Sequence, residues 1–273
     1  SKIKMITEVG IAGSGIMGSA IAVINLQAGY DVVIFDLEES QLLKAKGRLD
    51  KIINELNLSA AVKYADNISS MKDCNLIIEC LTEDENIKSD FYKSIEENCH
   101  KKSIIASNTS SISINRLANN LQFPERFLGL HFMNPPQIIK LVEIINHEKI
   151  DKGVLEDVAQ YLEVMDMISI ECNDKPGFIV NRVLLPMINE AIYCYENGIS
   201  DAKSIDTALK VGANHPMGPL ELADFIGLDT CLFILRVLQE DLNDVKYKPC
   251  PLLEEYVRLG KLGKKTKEGF YKY

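Results

Sequence analysis

The run EVGIAGSGIMG places Gly13, Gly15 and Gly18 in a G-x-G-x-x-G pattern, after an apolar stretch and before a helical one. A loop of this kind cradles a pyrophosphate. Gly13 permits the tight turn, Gly15 lets backbone approach the phosphates, and Gly18 lets helix and strand pack closely. Ile16 and Met17 then open the helix whose N-terminus supplies donors and partial positive charge. Asp36 closes the second apolar run, DVVIFD, about 20 residues beyond the glycines, where a carboxylate accepts from both ribose hydroxyls and repels a 2′-phosphate. The expected cofactor is therefore NAD rather than NADP. The alternative is an ordinary loop, with Asp36 doing no more than capping the helix that begins near Glu38.

A second group could move a proton. Taking one from a hydroxyl near neutral pH suits histidine, and the chain has four. His100 in NCHKKS and His147 in NHEKID sit in charged stretches and read as surface residues, and His215 in NHPMGP sits in a turn between helices. His131 instead ends the apolar run FLGLHF and is followed at once by the turn MNPP. Glu143, in the next strand KLVEII, could accept from its other ring nitrogen, fixing the tautomer and stabilising the imidazolium. Otherwise Glu143 is a simple edge-strand carboxylate. The cluster SNTSS at 107–111 places Asn108 where it could meet the nicotinamide ribose and Ser110 where it could meet a substrate oxygen; helix capping is the other use of such residues. Asn181 falls on the apolar face of a helix, in line with Phe178, Leu184, Leu185 and Ile188, as a buried structural amide or as a group facing a cleft.

The elements that must hold these residues follow from the hydrophobic pattern. Candidate strands at 8–12, 31–35, 75–79, 103–107, 127–132, 140–145 and 167–171 alternate with helical stretches at 16–28, 85–98 and 151–166. Several strands are apolar at successive positions, as strands buried on both faces are. The pattern predicts an α/β Rossmann-type domain with a parallel sheet over residues 1–173. From 174 to 273 only helical segments follow, at roughly 177–197, 201–212, 218–240 and 250–259, which predicts an all-helical second domain; its apolar content suggests a surface for a second subunit, and a substrate role is expected of it. The two domains are expected to pack closely around a cleft.

Bulk properties narrow the function class. At 273 residues two cores are expected, and no segment approaches the ~18 apolar residues of a membrane span. A net charge of −9 argues against a nucleic-acid partner. Seven scattered cysteines, never in C-x-x-C, point to neither a disulfide framework nor a zinc site, and fit a reducing compartment. No signal-like start is seen, so a cytoplasmic location is expected, or an organelle matrix if a targeting peptide has been removed.

The runs GSGIMGSAIA, IIECLTEDENIK, SNTSSISI, GLHFMNPP, LVEII, DKPGFIVNR, GANHPMGPLELADFIGLD and GKKTKEGFYKY, in this order, resemble the L-3-hydroxyacyl-CoA dehydrogenase family over nearly the whole chain. The resemblance implies NAD-dependent interconversion of (S)-3-hydroxyacyl-CoA and 3-oxoacyl-CoA, with short acyl chains, and a homodimer. It implies His131 as catalytic base, Glu143 as its orienting partner, and Ser110 and Asn181 as partners of the reacting oxygen and the thioester substrate. It also implies that Glu83 and Lys88 lie near cofactor and substrate, and that Asn108 contacts the nicotinamide side. The chain departs from the family in its segment after the second strand, which is shorter than the usual lysine-bearing hairpin; Lys44, Lys46 and Arg48 are the candidates to replace it. Ser14 stands where a small apolar residue is more usual. Two competing readings are a dehydrogenase of the same superfamily acting on a hydroxy acid without CoA, and a non-catalytic NAD-binding protein. A third, a catalytic-lysine type enzyme, is disfavoured because the helix at 177–197 offers Arg182 and no lysine.

Overall fold

The structure, a computed structural model, describes residues 5–273. The chain divides into two units, 1–175 and 176–273, so the change of unit comes two residues after the expected boundary.

The first unit is built on eight strands: β1 (Glu8–Ala12), β2 (Asp31–Phe35), β3 (Val62–Ala65), β4 (Leu76–Glu79), β5 (Ile104–Ser107), β6 (Phe127–Phe132), β7 (Leu141–Asn146) and β8 (Ile168–Asn173). Their order is β3-β2-β1-β4-β5-β6-β7-β8. The first six run parallel, β7 turns back antiparallel to β6, and β8 is parallel to β7. The chain leaves β1 in one direction across the sheet and reaches β4 on its other side. That switch point, at the carboxyl ends of β1 and β4, is where open α/β sheets bind ligands. Strands β1, β2, β4, β5 and β6 are buried along almost their whole length, which is why they read as unbroken apolar runs.

Helices α1 (Ile16–Gln27), α2 (Glu39–Leu56), α3 (Glu85–Asn98), α4 (Ile114–Ala118) and α5 (Lys152–Val164) complete this unit. Helix α1 is buried from Gly18 to Leu26 and joins the sheet's main core with Val9, Ile11, Ile34 and Leu76. Strand β3 has no counterpart among the expected strands. Its four residues, VKYA, lie at the sheet edge with only Ala65 buried, so the sequence carries little hydrophobic signal there.

The second unit is helical as expected, with α6 (Val180–Glu196), α7 (Ala202–Gly212), α8 (Pro219–Ile226), α9 (Leu228–Leu242) and α10 (Pro251–Arg258). The single helix expected over 218–240 is two. Gly227, at φ 102, separates them in a conformation that a side chain resists. The core combines Leu185, Ile188 and Ile192 of α6 with Leu220, Leu228, Leu235 and Leu253. Among the described residues no helix is long and apolar enough to cross a membrane.

Candidate active site

The three glycines of the loop meet different surroundings. Gly13 takes φ 99, and a Cβ there would lie 2.4 Å from the Cys80 carbonyl oxygen at the end of β4. At Gly18 a Cβ would lie 1.9 Å from the Gly13 carbonyl oxygen. Gly15 is different: a Cβ there would meet nothing within 4 Å. Helix α1 begins just beyond it with no side-chain cap and no acidic residue in its first turn, and Ile16 is exposed. Open space in front of uncapped helix N–H groups, where only backbone is present, fits a pyrophosphate.

Asp36 lies just past β2, and its carboxylate does more than cap a helix. Oδ1 accepts from Glu38 N at 3.0 Å, while Oδ2 accepts from Ser14 N at 2.9 Å and from Ser14 Oγ at 2.7 Å. The carboxylate is thereby fastened to the glycine loop itself. Helix α2 contributes Arg48, whose Nη2 donates to Ser14 O at 3.1 Å and to Ser19 Oγ at 3.0 Å. Of the three basic residues expected to stand in for a longer hairpin, Arg48 is thus engaged with the loop, and Lys46 pairs with Asp50 at 2.8 Å and lies over the Tyr64 ring. Only Lys44 among them is exposed without a contact of this kind in view.

His131 and Glu143 are directly opposite each other in the antiparallel register of β6 and β7. His131 Nδ1 lies 2.8 Å from Glu143 Oε1, with the histidine 8% exposed and the glutamate fully buried. A carboxylate only accepts, so Nδ1 carries the hydrogen and Nε2 is the basic nitrogen of the neutral ring. Strand β7 is flanked by β6 and β8, so Glu143 is not an edge-strand carboxylate. Because β6 runs parallel to β5, His131 stands two residues beyond the register partner of Ser107, at the carboxyl edge of the sheet.

A second cluster of charge lies at the same edge. Asp84 caps α3 by accepting from Asn86 N and Ile87 N, which places Glu83 in the loop before the helix and Lys88 in its first turn. Lys88 is 1% exposed, with its ammonium 2.5 Å from Glu79 Oε2, 3.2 Å from Leu81 O and 3.5 Å from Glu83 Oε1. Glu83 in turn accepts from Thr109 Oγ1 at 2.7 Å, Ser110 N at 3.0 Å and Ser110 Oγ at 3.2 Å. Burial pushes the Glu83 carboxyl up, but the Lys88 ammonium and the Thr109 and Ser110 hydrogen bonds outweigh it and hold the group below its ordinary value. Ser110 is therefore a partner of Glu83 and not a helix cap; the cap of α4 is Ser113, which accepts from Arg116 N. Asn108 Oδ1 accepts from Phe132 N at 2.9 Å, tying the end of β5 to the residue after His131.

Glu79 is the residue that sequence reading missed. It is fully buried and collects Lys88, Leu81 N at 2.8 Å, Ser107 Oγ at 2.7 Å and the Tyr92 hydroxyl. The available signal was a carboxylate closing an otherwise apolar strand, LIIE, which must find partners when buried. His147 corrects a second reading. Expected at the surface, it is 7% exposed, and its Nε2 lies 2.7 Å from Phe127 O because the end of β7 turns the ring under β6. His100 is exposed. Asn181 belongs to the helical unit, where it is the second residue of α6 and half-buried.

The sheet, its glycine loop and the histidine–carboxylate pair define the class of NAD-dependent alcohol dehydrogenases built on a Rossmann-type domain. Comparison with known proteins narrows this. Residues 8–175 match the family model "3-hydroxyacyl-CoA dehydrogenase, NAD binding domain", and residues 177–273 match "3-hydroxyacyl-CoA dehydrogenase, C-terminal domain". A 3-hydroxybutyryl-CoA dehydrogenase of Bradyrhizobium diazoefficiens is 43% identical, covering 98% of this chain and 96% of its own. A probable 3-hydroxybutyryl-CoA dehydrogenase of Deinococcus radiodurans is 41% identical, covering 97% and 99%. Among solved structures, the (S)-3-hydroxybutyryl-CoA dehydrogenase PaaH1 from Ralstonia eutropha superposes with a TM-score of 0.90 at 38% identity, over 98% of this chain and 99% of that one. The chain belongs to the 3-hydroxyacyl-CoA dehydrogenase family, and NAD is its cofactor.

Proposed function

We propose that the protein oxidises the 3-hydroxyl of a short-chain (S)-3-hydroxyacyl-CoA, with 3-hydroxybutyryl-CoA as the favoured substrate, and that His131 is the general base. The observation that carries the base assignment is the 2.8 Å pairing of His131 Nδ1 with the fully buried Glu143, which leaves Nε2 as the basic nitrogen at the ligand edge of the sheet. Bound NAD supplies the hydride acceptor. In the oxidative direction Nε2 takes the hydroxyl proton, and Glu143 stabilises the imidazolium that results. In reduction the imidazolium returns that proton to the substrate oxygen. Ser110, held by Glu83, is proposed to hydrogen-bond the reacting oxygen, and Asn108 to line the nicotinamide side. Glu83 and Lys88 set that edge in place, Lys88 from a buried position. Asn181 is proposed to contact the thioester substrate from the helical unit. A homodimer formed through that unit is supported by the apolar side chains of Val183, Val211 and Phe233, which are exposed in the single chain.

The test is NADH oxidation by the purified protein with acetoacetyl-CoA and, separately, with free acetoacetate. Turnover that requires the CoA ester is the expected result. Equal turnover of the free acid, or none with either compound while NADH still binds, would overturn the substrate assignment.

A further inference from the structure

We propose that Ser14 is a specificity-determining residue: it locks the Asp36 carboxylate in the orientation that leaves its remaining acceptor site to an adenosine ribose hydroxyl and turns away a 2′-phosphate. The proposal rests on the reading of Asp36 as the ribose acceptor. It starts from the number of donors on one carboxylate. An ionised carboxylate offers about four acceptor sites, and here three are filled by protein groups, two of them from Ser14. The Ser14 hydroxyl at 2.7 Å is the shortest of the three.

Ser14 cannot readily turn elsewhere. It is fully buried, its peptide follows Gly13, and Gly13 N donates to Phe35 O at 2.8 Å in the strand that leads to Asp36. From the opposite side the Ser14 carbonyl accepts from Ser19 Oγ and Arg48 Nη2, both at 3.1 Å. The loop between β1 and α1, the end of β2 and the middle of α2 are thus closed into one clasp, with the serine hydroxyl aimed at Asp36. A carboxylate so held meets the ribose without first losing rotamer freedom, which favours binding. It also cannot swing aside to relieve repulsion from a phosphate. An alanine at position 14 would keep the N–H donor and remove only the hydroxyl, leaving Oδ2 with the backbone donor alone and the carboxylate more loosely held.

The experiment measures equilibrium binding of NADH and NADPH, by nicotinamide fluorescence, to the wild-type protein, Ser14→Ala, Asp36→Ala and the double variant, with unliganded Tm as the folding control. For Ser14→Ala the expected result is an NADH Kd raised about five- to tenfold, the scale of one ordinary hydrogen bond in net terms. NADPH should bind no more weakly than to the wild type, and Ser14→Ala should have no further effect once Asp36 is alanine. If Ser14→Ala weakens NADH equally in both backgrounds, or leaves the NADH to NADPH preference unchanged, the proposal is overturned and the serine only fills the loop. If Asp36→Ala itself leaves NADH binding unchanged, the ribose reading falls, and this inference with it. Should Ser14→Ala fail to fold, Ser14→Cys keeps the bulk with a weaker donor; it must shift the preference in the same direction, and an unchanged preference overturns the proposal.

Discussion

Two charged groupings stand at the same edge of the sheet and are built in opposite ways. His131 and Glu143 are placed by strand register alone: two antiparallel neighbours, a short connection, and one cross-strand pair. Glu79, Lys88, Glu83 and Ser110 are assembled from β4, the loop after it, the first turn of α3 and the loop after β5. The first grouping has the geometry to move a proton. The second ends at Ser110 and Thr109 in the loop after β5, so its work is to hold that loop in place. A histidine–carboxylate pair can thus rest on strand register, while the residues that frame it depend on tertiary burial. The two should then fail differently when broken.

The largest effect should come from Glu143→Gln. An amide can donate to Nδ1 and favour the wrong tautomer, so kcat should fall by up to about 10⁴-fold with unfolding midpoints little changed. Steady-state kinetics beside urea denaturation checks this, and a large loss of stability with a modest loss of kcat would erase the contrast between the groupings. Lys88→Met should do the reverse. It strands the buried Glu79 carboxylate, and removing one member of a buried pair costs about 3–5 kcal/mol. Adding Glu79→Gln should recover much of that stability, because the uncompensated charge is gone; urea midpoints of the single and double variants report it.

The smallest effect concerns pH. The folded Glu83 carboxyl lies below its ordinary value, so its contribution to stability is full above the unfolded pKa, near 4.3, and is lost as pH falls through the folded value. Glu83→Gln should therefore lower stability at pH 6 and flatten the acid limb of the stability profile. Tm measured from pH 6 down to pH 3 for both proteins tests it, and parallel profiles would show that Glu83 is not held by Lys88 in the way described.

The residues themselves made the first grouping legible; of the second they suggested Ser110, the resemblance supplied Glu83 and Lys88, and Glu79 stayed hidden. GSGIMG, Asp36 and His131 each sit at or beside the end of a strand whose apolar run is unmistakable, and Glu143 lies within the strand that follows His131, so their edge could be inferred before any contact was known. Glu79 ends such a strand too, but its partners lie 9, 13 and 28 residues away in three different places, a convergence that no periodicity encodes. Ser14 reads in the sequence only as a departure from the usual small apolar residue, because its partner, Asp36, is 22 positions on. His147 was misread from charged neighbours, whereas a turn of backbone at the end of β7 decides its burial. Strand β3 escaped because an edge strand of four residues needs little apolar surface.

On the proposed mechanism His131 moves the proton and does not bind the dinucleotide. The most direct test is His131→Gln, with NADH affinity measured by fluorescence and the rate of a single turnover with acetoacetyl-CoA measured by stopped flow on the same preparation. The expected result is an unchanged NADH Kd and a rate lowered by about 10²–10⁴-fold. A rate close to wild type would contradict it, and so would an equal loss of both quantities.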